Sequence, residues 1–146
     1  MATLTQAFRT ESQKIHAEHT EILAELEALE RSLEHLGRND AAPKEVLDLG
    51  RRLLRELPAH CRHEEETLHG TVGEVSPELA QFCALMREEH DAMRARLWSF
   101  ANGLDRLEAA REDAAAIANM QREGRVFVQQ LRRHIQLEER ELSGFL

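Results

Sequence analysis

A stretch of twelve residues, 59–70, holds three histidines and three glutamates in the sequence AHCRHEEETLHG. Imidazole nitrogens and carboxylate oxygens are frequent metal ligands in proteins, but the same residues also occur on the solvated face of a surface helix. The chemistry available to this stretch therefore depends on which of its side chains point inward. That in turn depends on the elements that carry them.

Length and composition favour one helical domain. The 146 residues are enough to bury a single core, and we expect one domain over residues 1–146. The chain has seven glycines, three prolines and no tyrosine, which is unfavourable material for a sheet-rich protein. Ala, Leu, Glu and Arg dominate, so long helices are predicted.

Charge and apolar patterning exclude several classes of partner. A formal net charge of −8 argues against nucleic-acid binding through a broad basic surface. The N-terminus lacks the pattern of a signal peptide, and no apolar run approaches membrane-spanning length. Cys61 and Cys83 resemble reduced thiols. We therefore expect a cytoplasmic protein without a membrane partner, whose oligomeric state the sequence does not indicate.

Three breaks divide the chain into four helices of similar length. Glycine and proline mark connections at 37–43 and 70–77, whereas the third, near 111–113, rests on apolar periodicity alone. The helices are predicted over 4–36, 43–69, 77–109 and 113–142. Short connections favour antiparallel neighbours, so the predicted fold is all-α, an up-down-up-down antiparallel four-helix bundle.

The inner seam of each predicted helix carries ionisable residues among large aliphatic ones. Bundle helices bury positions spaced alternately three and four residues apart. Six ionisable residues, at least one per helix, fall on these positions: His19, His60, Glu64, His90, His134 and Glu138. Burying such groups without partners costs about 1–3 kcal/mol each, so something must compensate them.

The four seam histidines, defined as His19, His60, His90 and His134, are predicted to share one layer. The midpoint of each successive pair along the chain falls inside one of the three connections, which places their side chains at the same level of an antiparallel bundle. Glu64 and Glu138 each follow a seam histidine by one helical turn. Four imidazoles and two carboxylates at one level suit a dinuclear metal site in which the carboxylates bridge.

Other polar residues fall outside the seam. His63, Glu65 and Glu66 are predicted to face water. His16 flanks the seam one turn before His19, where it is either a further ligand, a partner of the ligands or a plain flanking residue. The pair Glu66–His69 matches the Glu-x-x-His spacing of ferritin-like proteins, but it has no second copy.

Metal-free interpretations remain open at this point. The seam histidines could hydrogen-bond to one another or to the glutamates, and Arg94 could form a buried ion pair with Glu64 or Glu138. Cys61 adjoins His60 and is predicted to be structural. Gly50 and Gly124 either leave space for a small-molecule channel or allow close helix approach.

The residues around the seam resemble a known family, the hemerythrin-like or HHE cation-binding domains. The matching segments are IHAEHTEILAELEAL, HCRHEEETL, MREEHDAMRARL and HIQLEEREL, in the family's order and spread over nearly the whole chain. The resemblance implies a hemerythrin-like bundle that holds a non-heme di-iron centre with two iron ions. It places ligands at His19, His60, Glu64, His90, His134 and Glu138, with His16 as a possible fifth histidine.

Two departures refine this resemblance. Met86 stands where oxygen-carrying hemerythrins have a second histidine on the third helix, and His134 and Glu138 are four residues apart, where those proteins have a histidine and an aspartate five apart. The pattern is closer to the bacterial HHE branch, which includes proteins linked to nitric oxide response and iron–sulfur cluster repair.

The function expected from the resemblance is binding of dioxygen, nitric oxide or peroxide for sensing, storage or stress response. The alternatives are an enzyme that turns over peroxide or nitric oxide, and an iron donor for cluster repair. A metal-free helical interaction bundle is the structural alternative.

Overall fold

The computed structural model describes residues 2–68 and 76–143, and within these ranges the chain forms four helices and no strand. They are α1 (Ala2–Glu34), α2 (Ala42–His63), α3 (Pro77–Ala109) and α4 (Ala114–Ser143). A π-helical turn, Glu64–Leu68, continues α2. The predicted all-α four-helix bundle is confirmed.

The helices pack in a closed cycle of antiparallel neighbours. α1 and α3 each pack against both α2 and α4. Between α1 and α2, Glu18 contacts His60, whereas the Ser32 hydroxyl lies 3.1 Å from Glu45. Residues later in α1 thus contact residues earlier in α2, which is the antiparallel arrangement expected from the short connections.

Local chemistry sets where the helices begin. Pro43 lies in the first turn of α2, where its missing N–H costs nothing. The Leu79 N–H donates to the Ser76 hydroxyl at the start of α3, 3.3 Å away. The Ala116 N–H donates to the Asp113 carboxylate at 2.9 Å, so a capping aspartate starts α4 where no glycine or proline marks the break.

The predicted helix bounds agree with the observed ones to within two residues, except at the end of α2. That helix was predicted to reach residue 69, but regular α-helix ends at His63 and the π-helical turn follows. π-helical turns are rare in proteins overall, but those that do occur are often found at functional sites. His69 lies outside the described residues.

Two apolar clusters enclose the polar layer from both sides. The larger cluster has members on all four helices, among them Ile22 on α1 and Leu107 on α3, and it includes the stacked rings of Phe100 and Phe127. The smaller one contains Phe8, Ile15, Leu79 and Cys83. No helix in the described part of the chain is both long and apolar enough to cross a membrane.

Gly50 and Gly124 allow close helix approach. A Cβ atom on Gly124 would lie 2.6 Å from a methyl of Leu33, and one on Gly50 would lie 2.8 Å from Leu104. Buried leucine side chains therefore fill the space beside both glycines. Of the two interpretations left open by the sequence, close packing is the one observed.

Candidate metal centre

The six seam residues are buried together, as the helical periodicity predicted. Their exposed fractions are 1% for His19, 7% for His60, 0% for Glu64, 1% for His90, 6% for His134 and 0% for Glu138. Each helix contributes because each places one seam position at the same level of the bundle. The inward orientation of all six is confirmed.

These residues form two groups that could each hold a metal ion. The α1–α2 triad consists of His19, His60 and Glu64, and the α3–α4 triad consists of His90, His134 and Glu138. Within each triad, one potential ligand atom per residue lies within 4.8 Å of the others. Each triad thus offers two imidazoles and one carboxylate.

The carboxylate of Glu138 faces both triads. Its Oε1 contacts His134 Nε2 and lies 3.6 Å from His90 Nε2, while its Oε2 lies 3.7 Å from His19 Nε2. In the α1–α2 triad, Glu64 Oε1 contacts His60 Nε2 and lies 3.5 Å from His19 Nε2. The two triads are therefore adjacent parts of one site.

The polar atoms of the site fit a bound cation. Among the described residues, His60 Nε2 and both carboxylate oxygens of Glu138 are buried and face other polar atoms of the two triads without forming well-aligned hydrogen bonds. His90 Nε2 and His134 Nε2 face each other at 3.1 Å. Buried polar atoms are normally satisfied, and a cation among neutral nitrogens and anionic oxygens would satisfy all of these at once.

The electrostatics of the site favour positive charge. Burial alone would lower the pKa of His19, but the hydrogen bond with Glu64 and the charges of Glu64 and Glu138 raise that pKa to about 9. Burial likewise acts against protonation of His90, yet contacts with Cys61 and Glu138 raise its pKa to about 11. A metal ion entering the site would displace these protons.

The pKa of Glu64 moves in the opposite direction. Burial would raise it, but hydrogen bonds with Glu138, His19 and His60 hold it well below its ordinary value. Glu64 is thus an anionic carboxylate, which is the state that binds a metal ion.

A second layer of four glutamates surrounds the histidines, and helical periodicity did not predict it. We call Glu18, Glu65, Glu89 and Glu139 the outer glutamates. Each accepts a hydrogen bond from the Nδ1 of one seam histidine: His19 to Glu139 at 2.6 Å, His60 to Glu18 at 3.1 Å, His90 to Glu65 at 3.0 Å and His134 to Glu89 at 3.0 Å. A sequence signal exists, because each outer glutamate directly adjoins one of the six seam residues.

The prediction that His63 and Glu65 face water was wrong. His63 is half-buried, with Nδ1 3.0 Å from Glu18 and Nε2 3.0 Å from Glu11, and Glu65 binds His90. The reason is geometric: residues next to a seam position lie on the flank of the helix, where the neighbouring helix packs. Glu66 is exposed, as predicted.

His16 lies in the outer layer. Its side chain is 61% exposed, and its Nδ1 lies 2.7 Å from Glu139 Oε2. It therefore contacts the outer glutamate of His19, and its role as a further ligand or a partner of the ligands stays a prediction.

Arg94 lies outside the buried layer, whereas Cys61 lies beside one of the seam histidines. Arg94 contacts Asp91 and lies 3.6 Å from Glu65, so it belongs to the outer layer. Cys61 is buried beside His90 and hydrogen-bonds with it. Both cysteines are free, in agreement with the predicted reduced thiols.

A four-helix bundle with two buried His-His-Glu triads at one level is typical of the class of metal-binding bundle proteins. The family model of the hemerythrin HHE cation binding domain matches residues 10–146, and the chain belongs to this family. No curated protein and no solved structure matches the chain.

Proposed function

We propose that this chain is a non-heme di-iron protein that binds dioxygen, nitric oxide or peroxide for sensing, storage or stress response. The observation that carries the proposal is the pair of adjacent triads in one buried layer. His19 and His60 would hold one iron, and His90 and His134 the other. Glu64 and Glu138 would bridge them, and the position of Glu138 between the triads supports this role.

The two iron ions, when bound, would supply a redox-active centre at which a small diatomic gas or peroxide can coordinate. The protein's own contribution is to limit the ligands and exclude water. Each triad provides only two histidines, and the buried Met86 adds no nitrogen on α3. The low number of protein ligands leaves coordination positions for an exogenous molecule.

Met86 and the four-residue spacing of His134 and Glu138 support membership of the bacterial HHE branch. These are the departures that distinguish the chain from oxygen-carrying hemerythrins. They favour nitric oxide or peroxide as the physiological ligand over simple oxygen transport.

A second candidate, enzymatic turnover of peroxide or nitric oxide, is favoured by a cavity between α3 and α4. The cavity has a volume of about 270 Å³, and its lining includes Met93, Phe127, Arg133 and the seam residue His134. It would give a small molecule a route to the flank of the α3–α4 triad.

Spectroscopy of the iron-loaded protein tests the function. We expect the near-ultraviolet absorption of the reduced or oxidised protein to change with at least one of dioxygen, nitric oxide and peroxide. A stoichiometric, reversible change supports a binding protein, whereas consumption of many equivalents supports the enzyme. If iron-loaded protein responds to none of the three, the proposed function is wrong.

A further inference from the structure

We propose that the outer glutamates form a closed ring of positioning residues that fixes each seam histidine with its Nε2 toward the metals. The proposal rests on the metal centre proposed above and adds to it the residues that orient the ligands. Its starting point is that all four seam histidines have the same two-sided environment. Nδ1 faces an outer glutamate, and Nε2 faces a triad.

The four pairings run in one direction around the bundle. Each helix supplies a glutamate to the histidine of the next helix: Glu18 on α1 to His60 on α2, Glu65 after α2 to His90 on α3, Glu89 on α3 to His134 on α4, and Glu139 on α4 to His19 on α1. The last pairing returns to the first helix. Every helix–helix contact in the cycle is therefore spanned by one such hydrogen bond.

Helix geometry explains why the ring closes. On α1 and α3 the outer glutamate comes one residue before the seam histidine, whereas after α2 and on α4 it comes one residue after the seam glutamate. One residue is a rotation of about 100° around a helix axis. α2 and α4 run opposite to α1 and α3. Seen from one end of the bundle, moving one residue back along α1 or α3 therefore rotates in the same sense as moving one residue forward along α2 or α4. All four glutamates thus point toward the same neighbour in the cycle.

The chemistry of the pairing selects one tautomer. A neutral imidazole has a single N–H, and a carboxylate acceptor at Nδ1 keeps the proton there, which leaves the Nε2 lone pair free to bind metal. Histidine ligands of metals commonly donate their second N–H to a carboxylate in this way. Here the arrangement applies to all four histidines.

Three of the outer glutamates have a second polar contact, and the fourth, Glu89, is the most exposed of them. Glu139 also binds His16, Glu18 also binds His63, and Glu65 lies 3.6 Å from Arg94. Glu89 has a 40% exposed side chain and borders the α3–α4 cavity. Its replacement disturbs packing least, so it is the best position for a test.

The test uses Glu89→Ala, Glu89→Gln and the matched control Glu88→Ala on the neighbouring exposed glutamate. Zn²⁺ alone is titrated into the metal-free 146-residue chain. We expect Glu89→Ala to lower zinc affinity about 10- to 100-fold, the usual effect of removing such a partner. Glu89→Gln keeps an acceptor and should fall between Glu89→Ala and the parent, whereas Glu88→Ala should match the parent.

Nitrogen-15 NMR of the zinc-loaded protein measures the histidine Nδ1–H signals. These signals would not change selectively if Glu89 had a purely structural role. Because the ring crosses to the next helix, Glu89→Ala should alter the Nδ1–H signal of His134. The signal of His90, which adjoins Glu89 in sequence, should remain. Selective change at His90, or no change at either histidine, would overturn the ring.

The two proposals fail differently. If the parent chain binds no zinc and no iron, the metal centre is wrong and the ring has no ligand to orient. If the parent binds zinc and Glu89→Ala binds it equally well, the metal centre stands and the positioning role is refuted.

Discussion

At the residue scale, helical periodicity predicts the inward side chains but not their outer partners. His19 and His90 stand out because the seam positions directly before and after each of them are apolar, so a spacing of three and four residues is enough to find them. Glu65 and Glu89 occupy flanking positions, where the same spacing does not distinguish contact with a neighbouring helix from contact with water. Their partners lie 25 and 45 residues away along the chain, and only the assembled bundle brings them together.

Glu25 provides a prediction about pH at this scale. Desolvation, together with a hydrogen bond to Glu56 and the charge of that residue, raises the pKa of Glu25 from 4.5 to about 7. The folded protein therefore binds this proton more tightly than the unfolded chain, and the resulting stability is lost as pH rises between these two values. We expect Glu25→Gln to be more stable than the parent at pH 8 and to show no such gain at pH 4.

Denaturant unfolding of both proteins across this pH range measures the effect. Glu34→Gln, at an exposed position of α1, is the control, and its difference from the parent should not vary with pH in this way. A difference between Glu25→Gln and the parent that is constant from pH 4 to pH 8 would contradict the assignment.

At the element scale, the number, type and approximate bounds of the helices could be predicted because turn residues and apolar periodicity agree. The third break has neither glycine nor proline to mark it, and the structure shows that Asp113 supplies the signal there as a helix cap. The π-helical turn Glu64–Leu68 has no comparable signal. Periodicity of residue types assumes a regular helix, so it does not predict a local widening of the turn.

Gly124 tests the close contact of α1 and α4. Glycine to alanine inside a helix ordinarily stabilises by about 1 kcal/mol through helix propensity. At Gly124 the added methyl group would press against the buried side chain of Leu33. We expect Gly124→Ala to lower the free energy of unfolding by about 1–3 kcal/mol, the usual cost of overpacking a core.

Chemical denaturation of Gly124→Ala measures this cost, and Gln129→Ala, at an exposed position on α4, is the control with little expected change. If Gly124→Ala were more stable than the parent, α1 and α4 would not be in close contact at this level.

At the scale of the whole molecule, the bundle is a scaffold that holds one polar layer between two apolar clusters. Four helices are needed because each supplies a seam histidine and an outer glutamate. The fold could be predicted from the sequence, and so could the level at which the histidines meet, since both follow from short connections that lie midway between successive seam histidines along the chain. The division into two triads depends on side-chain directions that the register of the helices leaves open.

The measurement that tests the central claim most directly is the iron content of the 146-residue chain purified from iron-replete cells. We expect close to two irons per chain, with near-ultraviolet absorption that changes on addition of azide or peroxide. His134→Ala should lose iron, whereas the exposed His35→Ala should retain it. Parent protein with neither metal nor this absorption, or equal iron loss in both variants, would contradict the di-iron centre.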